Sequence, residues 1–148
     1  MRSPAEVLPH RPPFLFLDEV TALVAGNRAE GYWQLNGSEA FFAGHFPGRP
    51  TLPGVLMAEA IAQLGAYVVL SDERFVGKLP LFGGLDSARF RRQVTPKERL
   101  DLSIEMTRMS TRAGRGQGQA LVAGELACEV ELFFVVVDDD SKTAAEGR

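Results

Sequence analysis

The sequence predicts an α+β domain in which an antiparallel sheet curls around one long central helix, and three stretches carry that prediction. Val55 to Leu70 is apolar almost all round, the pattern of a helix wrapped by other elements rather than one with a solvated face. Arg99 to Met109 alternates cleanly, with Leu100, Leu102, Ile104 and Met106 on one face and Asp101, Ser103, Glu105 and Thr107 on the other, the period of a half-buried strand. Gln119 to Ala123 and Glu125 to Val137 flank Ala123-Gly124 and read as a hairpin whose second arm is long and β-branched. Several strands with a single buried helix are satisfied by a sheet that folds over that helix. At 148 residues and 45% hydrophobic, the chain has enough apolar surface for one domain over residues 1–137. The polar, acidic tail 138–148 is expected to be disordered.

Taken in order, residues 1–7 are expected to be a loose or lightly docked terminus, and Pro9, Pro12 and Pro13 break any regular element there. The β-favouring run from Phe14 to Val24 predicts the first strand, closed by a turn at Gly26-Asn27. Arg28 to Leu35, with Tyr32 and Trp33, predicts the second, leaving at Asn36-Gly37. Ser38 to Ala43 is a short loop or helical turn that carries Phe41 and Phe42 toward the core. The central helix starts at about Pro53, since proline suits a first helical turn, and closes near Ser71-Asp72. Lys78-Leu79-Pro80 ends the next loop, and Leu81 to Val94 opens the second half of the sheet. The glycine-rich run from Arg112 to Gly118 lacks the spacing of a phosphate-cradling loop and reads as a mobile hairpin segment.

Composition excludes several classes. A net charge of −3 argues against a nucleic-acid binder, which would carry a basic excess. The single cysteine, Cys128, rules out an internal disulfide framework and reads as a small core hydrophobe. Two distant histidines, His10 and His45, without a Cys/His cluster, argue against a zinc site; His10, beside prolines, reads as a loop residue. The helical run is shorter than the roughly 20 residues a bilayer demands and carries Glu59 and Gln63. With no charged region leading into an apolar one at the N-terminus, a cytoplasmic protein without membrane association is expected.

Chemistry concentrates where the loop Gly44-His45-Phe46-Pro47-Gly48-Arg49-Pro50-Thr51-Leu52-Pro53-Gly54 meets the helix. Proline and glycine hold that loop stiff and irregular. Glu59 and Gln63 lie four apart and share one helical stripe, which Tyr67 extends. Glu59 is either a salt-bridged or partly exposed helix residue, or a carboxyl in apolar surroundings. The second environment penalises the ionised form and suits a general acid, and the apolar helix favours it. His45 is a hydrogen-bonded loop residue or, with an ordinary pKa near neutrality, a base.

The run from His45 to Gln63 resembles the active-site signature of the 3-hydroxyacyl-[acyl carrier protein] dehydratases of fatty acid synthesis, a hot dog fold family. Leu8-Pro9-His10-Arg11 leading into Phe14-Leu15-Phe16-Leu17-Asp18 is similar to that family's opening segment, and Phe82-Gly83-Gly84-Leu85-Asp86-Ser87-Ala88-Arg89-Phe90-Arg91-Arg92 to its next landmark. The matching segments run in the family's order over roughly residues 7 to 136. The resemblance implies a hot dog fold and a dehydratase that converts 3-hydroxyacyl-acyl carrier protein to the trans-2-enoyl form, without metal or organic cofactor. It implies His45 as base, Glu59 as acid, the Gly54 N–H as the donor to the thioester oxygen, and Gln63 orienting the carboxylate.

The resemblance further implies a homodimer whose site takes its histidine from one subunit and its acid from the other, with a trimer of dimers open. Phe82 and Leu81 are expected along an acyl tunnel, Leu81 standing where several relatives carry a gating tyrosine. Pro12 stands where an aromatic is common. Arg89, Arg91 and Arg92, with Lys97 and Arg99 following, are a solvated strand face or a landing surface for an acidic acyl carrier protein. Two other readings stay open: a hot dog acyl thioesterase, and a non-catalytic acyl-chain-binding subunit.

Overall fold

The computed structural model describes residues 1–140; of the tail expected over 138–148, Asp138 instead ends the last strand and pairs with Lys78, and residues 141–148 lie outside the described residues. Ser3 opens a short helix α1 (Pro4–Val7). Strands β1 (Glu19–Val24) and β2 (Arg28–Gln34) follow, then a 3-10 turn at Ala40–Ala43 and the central helix α2 (Gly54–Leu70). After a second 3-10 turn at Glu73–Phe75 come β3 (Lys78–Phe90), β4 (Arg99–Met109), β5 (Ala113–Val122) and β6 (Glu125–Asp138). The six strands form one sheet in the order β1-β2-β4-β5-β6-β3, every neighbouring pair antiparallel. This is the antiparallel sheet with one central helix that the helix and strand patterns predict, and the hot dog architecture that the family resemblance implies.

The sheet's inner face is built by period-two alternation. On β4, Leu100, Leu102, Ile104 and Met106 are buried, and on β6, Cys128, Val130, Leu132, Phe134 and Val136. Against them α2 buries Met57, Ala58 and an unbroken run from Ala60 to Val69, which explains why its sequence has so little polar surface. Close approach is made possible by glycine. A Cβ on Gly65 of α2 would lie 2.7 Å from Ile104 and 2.8 Å from the Phe134 ring, and one on Gly118 of β5 only 2.5 Å from Ile61 of the helix.

Three expectations about the strands are corrected. The run 112–118 belongs to β5 from Ala113 onward and is paired on both sides, by β4 and β6. Its glycines 114, 116 and 118 alternate with Arg115, Gln117 and Gln119, so the bare positions face inward, where added Cβ atoms would meet Met109, Met106 and Ile61. The first strand begins at Glu19 rather than Phe14, because the Phe16 N–H donates to the Gln63 side chain instead of to a strand. β3 begins three residues before Leu81 and stops at Phe90, short of Val94. It runs through Pro80 because it is an edge strand, where one side needs no N–H donor. Of the two states expected for the N-terminus, loose or lightly docked, it is the docked one that is observed: Pro4 is buried and the Tyr67 hydroxyl donates to the Arg2 carbonyl at 2.6 Å. Tyr67 is thereby drawn away from the stripe's polar end.

Candidate active site

The Gly44–Gly54 loop is closed by its own backbone. The His45 N–H donates to the Phe42 carbonyl, Thr51 donates back to the His45 carbonyl at 2.7 Å, and Phe46 and Arg49 exchange bonds in both directions. Leu52 is pinned to the Val94 carbonyl at 2.8 Å, so the loop's exit is tied to the segment that follows β3. The His45 ring stacks on Phe46, with centroids 4.0 Å apart. Its Nδ1 lies 2.7 Å from the Thr51 carbonyl oxygen. A carbonyl only accepts, so Nδ1 carries the hydrogen and, in the neutral ring, Nε2 is the bare nitrogen available as a base.

One turn and a half into α2, Glu59 is half-buried, its side chain 19% exposed. Gln63 lies one turn further on and is buried, with all its polar atoms used. Its Oε1 accepts the Phe16 N–H at 2.7 Å, and its Nε2 donates to the Phe14 carbonyl at 3.1 Å and to Glu59 Oε1 at 3.0 Å. The Phe16 donor fixes which end of the amide is oxygen. Nε2 therefore must donate to Glu59 Oε1, and a proton carried by this carboxyl belongs on Oε2. These contacts consequently leave His45 Nε2 and Glu59 Oε2 as the atoms they do not engage. Within a single chain no hydrogen bond or ion pair joins His45 to Glu59 among the described residues.

The structure adds a group that the sequence left as a loop residue. His10 Nε2 lies 3.8 Å from Glu59 Oε1, and burial holds its pKa below the ordinary imidazole range despite the opposing pull of the Glu59 carboxylate. The signal available in the sequence was its place inside the opening segment that precedes Phe14 and Phe16, the two residues gripped by Gln63.

Gly54 is the first residue of α2, where helical N–H groups have no partner within the helix and the dipole is positive. Within the chain, the space its missing side chain leaves is taken by Phe90, whose ring would lie 2.8 Å from a Cβ there. Leu81 and Phe82 sit exposed on β3, 46% and 37% accessible, and Phe82 packs toward Phe134 at 6.3 Å between centroids. No hydrogen bond or ring contact links either to His45 or Glu59 among the described residues.

The basic cluster is largely committed within the chain. Arg92 is bound to Glu98 and Glu125, Arg91 to Glu129 at 2.7 Å, and Arg99 to Asp101 while lying 4.0 Å over the Tyr32 ring. Arg89 has no ion-pair partner among the described residues. Cys128 is buried, and burial raises its thiol to about 11, as suits a core residue. No described helix is long and apolar enough to cross a membrane.

Comparison with known proteins yields a consistent result. Residues 8–131 match the family model of the FabA-like domain. The chain is 52% identical over 130 residues to a protein of Moorella thermoacetica named 3-hydroxyacyl-[acyl-carrier-protein] dehydratase FabZ, the match covering 88% of this chain and 91% of that one. A Bacillus subtilis protein of the same name is 47% identical over 131 residues, with 88% and 93% covered. Among solved structures, the dehydratase heterocomplex ApeI:P from Xenorhabdus doucetiae superposes with a TM-score of 0.78 at 16% identity, covering 100% of this chain and 99% of that one. A hypothetical thioesterase from Streptococcus pneumoniae reaches 0.64 at 12% identity, covering 81% and 85%. Likeness at such low identity speaks for the fold alone.

Proposed function

This chain belongs to the FabA-like family, and on that premise we propose that it is a 3-hydroxyacyl-[acyl carrier protein] dehydratase with His45 as base and Glu59 as acid. The observation that carries the assignment of roles is the pinning of one atom on each side chain. Thr51 occupies His45 Nδ1 and Gln63 occupies Glu59 Oε1, leaving Nε2 to take a proton and Oε2 to give one. In the reaction, Nε2 removes a proton from C2 of the substrate. The electron pair released forms the C2–C3 double bond as the C3–O bond breaks, and the hydroxyl leaves as water with the proton of Glu59. Negative charge that develops on the thioester oxygen is met by the Gly54 N–H at the positive end of α2. None of these steps calls for a metal or an organic cofactor.

Two copies of the chain would share each site, His45 coming from one and Glu59 from the other. Supporting this is β3, thirteen residues long and at the open edge of the sheet, which exposes Leu81, Phe82, Leu85 and Phe90. A long apolar edge is a surface that proteins cover, and pairing with a second β3 would place Leu81 and Phe82 beside the partner's helix, where an acyl chain needs apolar walls. An acyl carrier protein, acidic by the same reading, would meet the cationic end of β3. There Arg89 is the uncommitted contact, while Arg91 and Arg92 would have to exchange glutamate partners. A cytoplasmic location accompanies such a substrate.

The test is hydration of crotonyl-acyl carrier protein, followed through loss of enoyl thioester absorbance. The wild type is expected to be active, and His45→Ala and Glu59→Gln each to lose about 100- to 10,000-fold while remaining folded, the range for removal of a general acid or base. A wild type that leaves the enoyl thioester untouched and instead hydrolyses acyl thioesters overturns the proposal.

A further inference from the structure

We propose that His10 is a positioning residue of this site, holding the Glu59 carboxyl by Oε1 so that Oε2 is the oxygen turned to the substrate. The inference rests on the dehydratase reading for its kinetic consequence, though not for the contact itself. Three observations converge on it. His10 Nε2 lies 3.8 Å from Glu59 Oε1, with side chains 25% and 19% exposed, and this is the same oxygen that Gln63 holds at 3.0 Å. His10 Nδ1 is buried and has no hydrogen-bond partner among the described residues, so the ring has no second anchor to account for its placement. The loop that carries it is itself clamped: the Arg11 guanidinium donates to the Leu8 carbonyl at 2.8 Å and to that of His10.

The tautomer follows from these contacts. A lone pair on Nε2 would face the lone pairs of a carboxylate oxygen, so the hydrogen of the neutral ring sits on Nε2 and points at Glu59. The charged groups acting on His10 are Glu59 from α2 and Arg11 from its own loop, which pull in opposite directions. With burial, they leave the ring neutral at neutral pH and a donor by virtue of its Nε2–H alone. At 3.8 Å the contact is longer than a hydrogen bond, as catalytic contacts often are before substrate closes on them. When Glu59 gives up its proton, Oε1 becomes more negative, and two N–H groups, from Gln63 and His10, are in place to receive that charge. Once that contact closes, a carboxyl that meets two donors on one oxygen is restrained about its terminal torsion, and misplacement by an ångström at such a site is costly in rate.

The test uses His10→Leu and His10→Gln in the full-length protein, with crotonyl-acyl carrier protein as substrate. His10→Leu is expected to lower kcat about 10-fold or more while KM stays within about 2-fold. His10→Gln, whose amide nitrogen can stand where Nε2 does, is expected to recover most of the loss. Separately, the His10 ring is titrated by NMR in the wild type and in Glu59→Gln. Its midpoint is expected to fall in the variant, because a carboxylate that favours the imidazolium has gone.

A kcat in folded His10→Leu equal to that of the wild type, or a His10 midpoint indifferent to Glu59, would overturn the proposal. So would His10→Gln as impaired as His10→Leu with both folded. A wild type inert toward the enoyl thioester whose His10 midpoint still follows Glu59 would refute the dehydratase reading while supporting the contact.

Discussion

Glu98 shows how far a single side chain can commit the surface around a site. Its carboxylate accepts from the Arg92 guanidinium at 3.0 and 2.9 Å and from the Thr95 N–H and hydroxyl at 2.9 and 2.8 Å. These donors favour the charged form, the Arg92 hydrogen bonds first among them, and hold the carboxyl at about 2. A group whose native pKa lies below its unfolded one stabilises the fold at high pH, and the contribution is lost as the native value is approached. Glu98→Gln should therefore cost about 1–3 kcal/mol in urea denaturation at neutral pH. The gap from wild type should begin to narrow below the ordinary value of 4.5 and close toward 2. At this scale the sequence was partly legible. His45 and Glu59 could be singled out because a histidine in a rigid loop and a carboxyl on an apolar helix are each unusual. His10 had only its place in the opening segment to mark it, since its significance lies in which oxygen of Glu59 it faces, and no spacing in the chain encodes that. Nor could the internal glutamate partners of Arg91 and Arg92 be read from their own neighbourhood.

The elements were legible where hydrophobic period decided them and obscure where packing did. β4 was readable to its ends because its inward residues are large and its outward ones polar. β5 was readable only in its second half, because in the first the inward positions are glycine, which supplies no hydrophobic signal. The alternation of Gly114, Gly116 and Gly118 with polar residues is itself a strand pattern, with absence of side chain in place of apolar side chain. Gly118→Ala is the sharpest probe of that reading. The new methyl would lie 2.5 Å from Ile61 of the helix and 2.7 Å from the Ser103 carbonyl oxygen, and because the second neighbour is backbone the clash cannot be relieved by a rotamer change. The substitution should destabilise the protein by about 1–3 kcal/mol in chemical denaturation, whereas Gly124→Ala, open but at φ +82, should cost only the strain of its turn.

For the whole molecule, the question is whether one chain makes a site. A sheet with a closed inner face and a long apolar edge at β3 argues that it does not, and a mixing experiment decides the matter. If His45 and Glu59 of one site come from different subunits, His45→Ala and Glu59→Gln chains unfolded and refolded together will pair at random. Half of the dimers are then mixed and each carries one intact site, so about a quarter of wild-type activity should return from two inactive parents. Sites built within one chain would return none. The fold itself was the most legible scale, because one apolar helix and alternating strands admit few arrangements. The edge strand's reach back to Lys78 was not, since Pro80 reads as a break until its place at the margin of the sheet is known. Gln63 ties this scale to the smallest one. Its amide closes the backbone of Phe14 and Phe16 where a neighbouring strand would otherwise do so, and the same amide sets the posture of Glu59. The opening segment is therefore a tuning element in evolution and in engineering: changes in the length or stiffness of the chain before β1 can adjust the Glu59 carboxyl without altering any residue of the helix that bears it.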